Sequence, residues 1–307
     1  MKVLLQFPEG LKQYALEYAK TLEKEGNEVI VSASPSFGAC DLAIEEAKKI
    51  GAEKLIHFGH AEFMHASFNV EYVEYRIDAD LSILEKSIDV LKPYKKIGIV
   101  TTVQHIGQLE EIKRFYEKNG KEVYIGKPNM FAKYKGQILG CDPGSASSID
   151  SEVDAHIYFG GGLFHPLGAV YTTKKPFFAI DPFAKKIESL DMYREKRRGL
   201  EKAMKIKSLK AKTFGILVST KTGQYNIKLA EMIKNKLAKN GLYGLILTAN
   251  TFDFDSLNNM LEIDAFINTA CPRIVTDDYE RLRKPILSPA MLEEFLYMIK
   301  DNNKSER

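Results

Sequence analysis

The chain repeats itself three times, and that repetition limits its fold more than any other feature of its 307 residues. Each repeat opens with a short apolar strand, runs through a turn into an amphipathic helix, stops at a glycine and enters a second strand. In the first, residues 2–7 are the strand and Pro8-Glu9-Gly10 the turn. Leu11, Tyr14, Ala15, Tyr18, Ala19 and Leu22 then make the stripe of a core-facing helix, Gly26 ends it, and residues 29–32 follow as a strand. In the second, the strand is 97–101, the helix carries Leu109, Ile112, Phe115 and Tyr116, Gly120 is the stop, and 123–125 is the next strand. Val3 to Gly26 and Ile97 to Gly120 are both separated by 23 positions. The third runs 214–218, then Ile227, Ala230, Ile233 and Leu237, then Asn240-Gly241 and 245–247.

The second halves match as well. Cys40-Asp41 and Cys141-Asp142 each stand 19 positions, counted from the cysteine, before a strand-ending glycine, Gly59 and Gly160. In the third repeat Asp264-Ala265 parallels Asp154-Ala155; seven positions past Asp154 is Gly161, and seven past Asp264 is Cys271. Cys271 therefore falls in the loop that holds His60 and Gly161 in the other repeats. Closing strands are expected at 72–78, 176–181 and 285–288. Strands alternating with helices at this spacing predict parallel sheets with right-handed crossovers. The expected architecture is α/β: three pseudo-symmetric repeats, each a small four-stranded parallel sheet flanked by helices, over residues 1–90, 91–205 and 206–307. One long doubly wound sheet would explain the matched spacings less well.

Sites in open α/β sheets lie beyond the carboxyl ends of the strands. Cys40, Cys141 and Cys271, the whole cysteine inventory, are all expected on that edge, one per repeat and next to Gly, Ala or Pro. A single cysteine is ordinarily a small buried apolar residue; three placed alike point to metal binding. Thiolates suit iron–sulfur clusters, zinc or copper(I). Structural zinc usually takes four ligands, often from paired Cys-x-x-Cys, and no such pair is present. Three thiolates on an iron–sulfur cluster would leave one iron open for substrate. A zinc site completed by His60 or His105 is the alternative.

The first strand-to-helix loop of each repeat should face the same edge. Glu9 comes from the first, Gln104 and His105 from the second, and Ser219, Lys221 and Gln224 from the third. Amides, hydroxyls and one cation at helix starts suit a carboxylate or a ribose, although each residue alone fits ordinary capping. The loop 219–224 lacks the full phosphate-loop pattern.

With 44 Lys+Arg against 41 Asp+Glu, the net charge of +3 gives no argument for nucleic acid. Residues 185–212 hold a local excess of basic side chains, read as a solvated connecting helix; Arg194, Arg197 and Arg198 could alternatively dock an acidic partner. An odd number of scattered cysteines and no apolar stretch near the roughly 20 residues of a membrane span suit a reducing, cytoplasmic setting. The opening run is too short, and too interrupted by Gln6 and Pro8, to act as a signal peptide.

The segments Phe37-Gly38-Ala39-Cys40-Asp41, Gly140-Cys141-Asp142 and Asn268-Thr269-Ala270-Cys271-Pro272-Arg273 resemble the three cluster motifs of the archaeal 2-(3-amino-3-carboxypropyl)histidine synthase family. Gln6-Phe7-Pro8-Glu9-Gly10-Leu11, Thr102-Val103-Gln104-His105 and Ser219-Thr220-Lys221 resemble its loops, so the likeness covers nearly the whole chain. The resemblance implies that Cys40, Cys141 and Cys271 hold one [4Fe-4S] cluster whose fourth iron binds S-adenosylmethionine. It implies radical transfer of the 3-amino-3-carboxypropyl group to C2 of a histidine imidazole on elongation factor 2, the first step toward diphthamide. It also implies a homodimer and an electron donor. The usual radical-enzyme Cys-x-x-x-Cys-x-x-Cys run is missing in that family and here. Quinolinate synthase, another three-domain, three-cysteine cluster enzyme using its open iron as a Lewis acid, is the nearest rival. A non-catalytic supporting subunit and a small-molecule-binding protein with structural cysteines are the others.

Overall fold

Three sheets form, one from each repeat, in a computed structural model that describes residues 1–305. The first contains β1 (Lys2–Gln6), β2 (Glu28–Val31), β3 (Lys54–Phe58) and β4 (Val70–Val73), all parallel, in the order β2-β1-β3-β4, with helices α1 (Ala15–Lys24) and α2 (Ile44–Lys49) between strands. Helix α3 (Ile83–Val90) leads to the second sheet. Its strands are β5 (Lys96–Thr101), β6 (Glu122–Tyr124), β7 (Ala155–Phe159), β8 (Phe177–Asp181) and β9 (Lys186–Ser189), in the order β6-β5-β7-β8-β9. Helices α4 (Leu109–Lys118), α5 (Gly144–Ser147) and α6 (Phe164–Val170) connect them. After α7 (Asp191–Lys207), the third sheet runs β11-β10-β12-β13 from β10 (Thr213–Ser219), β11 (Tyr243–Ala249), β12 (Ala265–Asn268) and β13 (Ile286–Leu287), all parallel. Its helices are α8 (Ile227–Ala238), α9 (Phe254–Asn258), α10 (Arg273–Thr276) and α11 (Leu292–Ser305). The chain divides into two compact units, Met1–Arg194 with the first two sheets and Glu195 onward with the third.

The expected α/β class, with three mostly parallel sheets flanked by helices, holds, with three corrections. The second sheet has a fifth strand, β9, antiparallel to β8, where the sequence was read as the start of a basic helix. The chain reverses at Lys185, the one non-glycine residue with positive φ (50°) among those described, and a four-residue edge strand of charged and apolar residues carries little periodicity to reveal it. Strand β4 begins at Val70 rather than 72 and ends at Val73 rather than 78. Around α1, Leu11, Ala15, Ala19 and Leu22 lean on the apolar layer of Val3, Leu5, Phe7, Ile56 and Phe58, and Tyr18, although partly exposed, sets its ring edge-on to Phe58 (4.4 Å); Tyr14, just before the helix, is exposed and tilts against Tyr75 instead. The helix-ending glycines Gly26, Gly120 and Gly241 all adopt left-handed φ, 85°, 78° and 74°.

Two devices recur with the repeat. An acidic residue before the third strand binds the first strand's leading amides. Lys2 N donates to Glu53 (2.9 Å); Lys95 N and Lys96 N donate to Asp154 (3.0 and 2.8 Å); Lys212 N and Thr213 N donate to Asp264 (both 2.9 Å). These bonds set the register of β1/β3, β5/β7 and β10/β12. The second device is volume exchange across that register. Leu4 faces Leu55, Gly98 faces His156, and Gly215 faces Phe266. A Cβ on Gly98 would stand 2.6 Å from the His156 ring, and one on Gly215 would stand 2.8 Å from the Phe266 ring. Close-packed interiors resist such overlap. Gly215→Ala is expected to cost about 1–3 kcal/mol, with part of it recovered by adding Phe266→Leu, as denaturant unfolding of the double-mutant cycle would show.

Candidate metal and substrate site

All the strands but β9 run parallel, so the loops leaving their carboxyl ends gather at one edge of each sheet. The strand orders reverse between β1 and β3, between β5 and β7, and between β10 and β12. Those are the crevices where open α/β sheets bind ligands.

Cys40 lies between β2 and α2, half-buried, in a turn closed by Asp41 N donating to Gly38 O (2.9 Å). The Asp41 carboxylate accepts from Phe37 N (3.3 Å). Cys141, exposed, sits at the tip of a turn in which Leu139 and Asp142 exchange backbone hydrogen bonds of 2.9 and 3.1 Å. The run before it lies along the end of β5, with Thr101 N donating to Gly136 O (2.8 Å) and Ile138 N to Thr101 O (2.9 Å). Asp142 is 2% exposed and does most of the local organising. Its Oδ2 accepts from Met130 N, Phe131 N and Ala132 N (2.9, 2.6 and 2.9 Å), its Oδ1 from Asn129 N and Gly144 N (3.3 and 3.0 Å). Burial opposes the charged form, yet this ring of amides holds the carboxyl below the usual carboxylate range. The Asp of each Cys-Asp pair is thus a loop organiser, a role the motif alone did not reveal.

The Cys141 turn also depends on glycine. A Cβ on Gly140 would stand 2.4 Å from the Phe164 ring, and one on Gly168 of α6 would stand 2.5 Å from Gly140 O. Gly168→Ala is expected to destabilise by about 1–3 kcal/mol, as thermal unfolding would show.

Cys271 follows β12 directly and is half-buried. Asn268 pins its loop at both ends: Asn268 Nδ2 donates to Cys271 O (2.9 Å), and Ala270 N donates to Asn268 Oδ1 (3.1 Å). Thr269 ties the same loop to the end of β10 through two bonds to Leu217 O (3.0 and 2.7 Å). Equivalent positions in the other repeats do the same three residues on. Tyr158 OH donates to Gly161 O (3.1 Å), and His57 Nε2 meets His60 Nδ1 (2.9 Å). The sheet registers Gln6/His57, Val100/Tyr158 and Leu217/Asn268 make these positions equivalent.

The first repeat adds a buried polar chain. Gln6 Nε2 donates to Asp41 O (2.7 Å) while Gln6 Oε1 accepts from Ala43 N (3.1 Å) and lies 2.8 Å from His57 Nδ1. Burial pushes His57 down to about 3, helped by the neighbouring His60, and pushes His60 down to about 4. Both imidazoles are therefore neutral.

The six loop residues expected to bind a co-substrate are placed as follows. Glu9 is exposed and pairs with Lys12 (2.7 Å), which also donates to Ala33 O and Ser34 O, tying the first loop to the start of the Cys40 loop. Gln104 is half-buried, and its backbone carbonyl accepts from Ile77 N (2.8 Å). His105 is buried against Phe159 and Phe183, with Nδ1 3.2 Å from Ile77 O; burial lowers its pKa. Ser219 and Lys221 are buried, and both reach Asn250, through its carbonyl (3.3 Å) and its side-chain oxygen (3.1 Å) respectively. Gln224 N donates to Lys221 O (3.0 Å). Of the basic residues on α7, Arg194 is occupied structurally, donating to Val170 O, Lys175 O and Asp191.

None of the three cysteines is in a disulfide. Each thiol stands on a loop shaped by side-chain-to-backbone hydrogen bonds, from Asp41, Asp142 and Asn268, and a thiolate is a soft donor of the kind that iron–sulfur clusters take. Among the described residues no group of three His, Cys, Asp or Glu side chains completes a metal site within either unit. No described helix is long and apolar enough to cross a membrane.

Fold and loops together define a class: an α/β protein of three repeated parallel sheets, each presenting one cysteine at its carboxyl edge. Residues 7–306 match the family described as "Putative diphthamide synthesis protein", and the chain belongs to that family. It is similar to the 2-(3-amino-3-carboxypropyl)histidine synthase of Pyrococcus horikoshii, 36% identical over 299 residues, covering 96% of this chain and 85% of that protein. The synthase of Methanocaldococcus jannaschii is 27% identical over 322 residues, covering 99% and 86%. The crystal structure of Dph2 from Pyrococcus horikoshii with a 4Fe-4S cluster superposes with a TM-score of 0.89 at 34% identity, over 97% of this chain and 86% of that one.

Proposed function

We propose that this chain holds one [4Fe-4S] cluster on Cys40, Cys141 and Cys271. With it the chain transfers the 3-amino-3-carboxypropyl group of S-adenosylmethionine to C2 of a histidine imidazole on elongation factor 2, the first step of diphthamide synthesis. The observation that carries this reading is the placement of all three cysteines on carboxyl-edge loops, one per sheet, in a chain whose relatives are 2-(3-amino-3-carboxypropyl)histidine synthases. When bound and reduced, the cluster supplies the electron that breaks the bond between sulfur and the methionine γ-carbon.

The chain's own residues do the rest. Asp41, Asp142 and Asn268 fix the three cysteine loops so that little ordering is left for the moment of binding. Three thiolates are one short of the four that usually close such a cluster, which leaves a corner for the co-substrate. Glu9, Gln104, His105, Ser219, Lys221 and Gln224 line the first loops and supply its polar surroundings, with Lys221 the natural partner for a carboxylate. The working form is a cytoplasmic homodimer served by an external reductant.

Anaerobic incubation with S-adenosylmethionine, dithionite and elongation factor 2 is expected to yield 5′-methylthioadenosine and a protein substrate heavier by one aminocarboxypropyl group. Quinolinate from iminoaspartate and dihydroxyacetone phosphate would contradict the assignment. A loaded cluster with no turnover in the homodimer would instead mark a supporting subunit.

A further inference from the structure

His60 occupies in the first repeat the place that Cys271 occupies in the third: seven positions after the acidic residue that precedes the third strand, and three after the pinning residue. It stands beside the reversal point between β1 and β3. In the other repeats the pinning side chain stops at a backbone carbonyl, of Gly161 or Cys271. In this one it meets a second side chain, and the hydrogen-bond polarity runs on through it.

That polarity is forced. Gln6 Nε2 must donate to Asp41 O, and Gln6 Oε1 must accept from Ala43 N, so the amide cannot flip. The oxygen can only accept, so His57 Nδ1 carries the hydrogen. Neutral His57 then offers a lone pair at Nε2, and His60 Nδ1 donates to it. The remaining nitrogen of His60, Nε2, is left as an acceptor. It lies 4.0 Å from the point where a Cβ on Gly38 would stand, and Cys40 Sγ lies 3.7 Å from that same point. An acceptor of fixed polarity thus shares one small volume with a proposed cluster ligand.

We propose that His60 is a substrate-contacting residue whose Nε2 accepts a hydrogen bond from the α-ammonium of the sulfonium co-substrate, with Gln6 and His57 as positioning residues that fix its tautomer. This rests on the function proposed above. The 3-amino-3-carboxypropyl group has one N–H donor, its ammonium, and it is the part whose bond to sulfur breaks beside the cluster. A neutral imidazole receives that donor without adding a negative charge next to a thiolate ligand, which a carboxylate would do. The arrangement selects for an amino-acid sulfonium over one lacking the amine, because the acceptor would otherwise be left unpaired.

The test uses the loaded, oxidised enzyme under anaerobic conditions, titrated with S-adenosylmethionine and with its analogue lacking the amino group. His60→Phe is expected to weaken S-adenosylmethionine binding about tenfold while the analogue binds both proteins within about twofold. His60→Gln, which restores a side-chain oxygen, recovers most of the loss, and iron and sulfide content stay unchanged. Two-bond nitrogen–proton spectra of the six ¹⁵N-labelled histidines should show His60 unprotonated at Nε2, with this signature lost in His57→Phe. Equal weakening of both ligands, unchanged affinity, a hydrogen on Nε2 in the parent protein, or loss of the cluster in both His60 variants would each overturn the proposal. A parent protein without a cluster would instead defeat the functional reading beneath it.

Discussion

Cys271→Ala is expected to abolish both the iron–sulfur absorption and methylthioadenosine formation while leaving the fold nearly as stable as before. The two effects separate because the side chain is half-buried and its loop is held by other groups. Asn268 binds the backbone of Cys271 and Ala270, and Thr269 binds Leu217, none of which needs the thiol. Val275, buried in the core just beyond, anchors α10 independently. Truncating one partly exposed thiol should cost no more than about 1 kcal/mol, whereas a cluster deprived of one of three protein ligands loses its hold. Cys40→Ala and Cys141→Ala are expected to behave alike. Visible absorption after anaerobic reconstitution, set beside thermal unfolding, checks both halves. A brown, active Cys271→Ala protein would remove that residue from the ligand set.

Asp142→Ala should be the most destabilising single change near the site, by about 3–5 kcal/mol. Its carboxylate is the acceptor for five backbone N–H groups drawn from 129–132 and 144, and alanine orphans them together. The loop that they shape packs against the Cys141 turn through Gly144, where a Cβ would stand 2.2 Å from Asn129 N. Metal retention should fall with it, on the order of 10- to 100-fold in affinity. Asp142→Asn keeps one acceptor oxygen and should lose less. Asp41→Ala should be milder still, since its bond to Phe37 N is long, at 3.3 Å, where Asp142 holds three amides at 2.9 Å or less. Denaturant unfolding of the three variants gives the ranking; an Asp142→Ala protein within about 1 kcal/mol of the parent would refute the loop-organising role.

The matched spacings made the three sheets legible because they record physical lengths: strand, helix and glycine stop recur at one distance when the same unit folds again. The offset that put Cys271 opposite His60 and Gly161 has a structural counterpart in the pinning bonds of Asn268, His57 and Tyr158. What stayed hidden was long-range or weakly patterned. Gln6 and His57 are 51 residues apart, and nothing local announces that strand pairing brings them together. The His-x-x-His spacing of 57 and 60 was visible, and so was its place at a strand end, but its tautomer depends on two backbone groups of another loop. Strand β9 was read as helix because Lys186–Ser189 is short and adjoins seventeen helical residues. Arg194 was read as a free surface cation, yet it is held by carbonyls of 170 and 175 that only the fold brings near.

The central claim is that three thiols hold one iron–sulfur cube with a corner left for the co-substrate. Mössbauer spectroscopy of the ⁵⁷Fe-loaded protein, recorded with and without S-adenosylmethionine, tests it directly. The expected result is a single cluster per chain in which about a quarter of the iron signal shifts when S-adenosylmethionine is added and the rest does not. A signal unchanged by S-adenosylmethionine, or iron bound in any form other than a four-iron cluster, would contradict it.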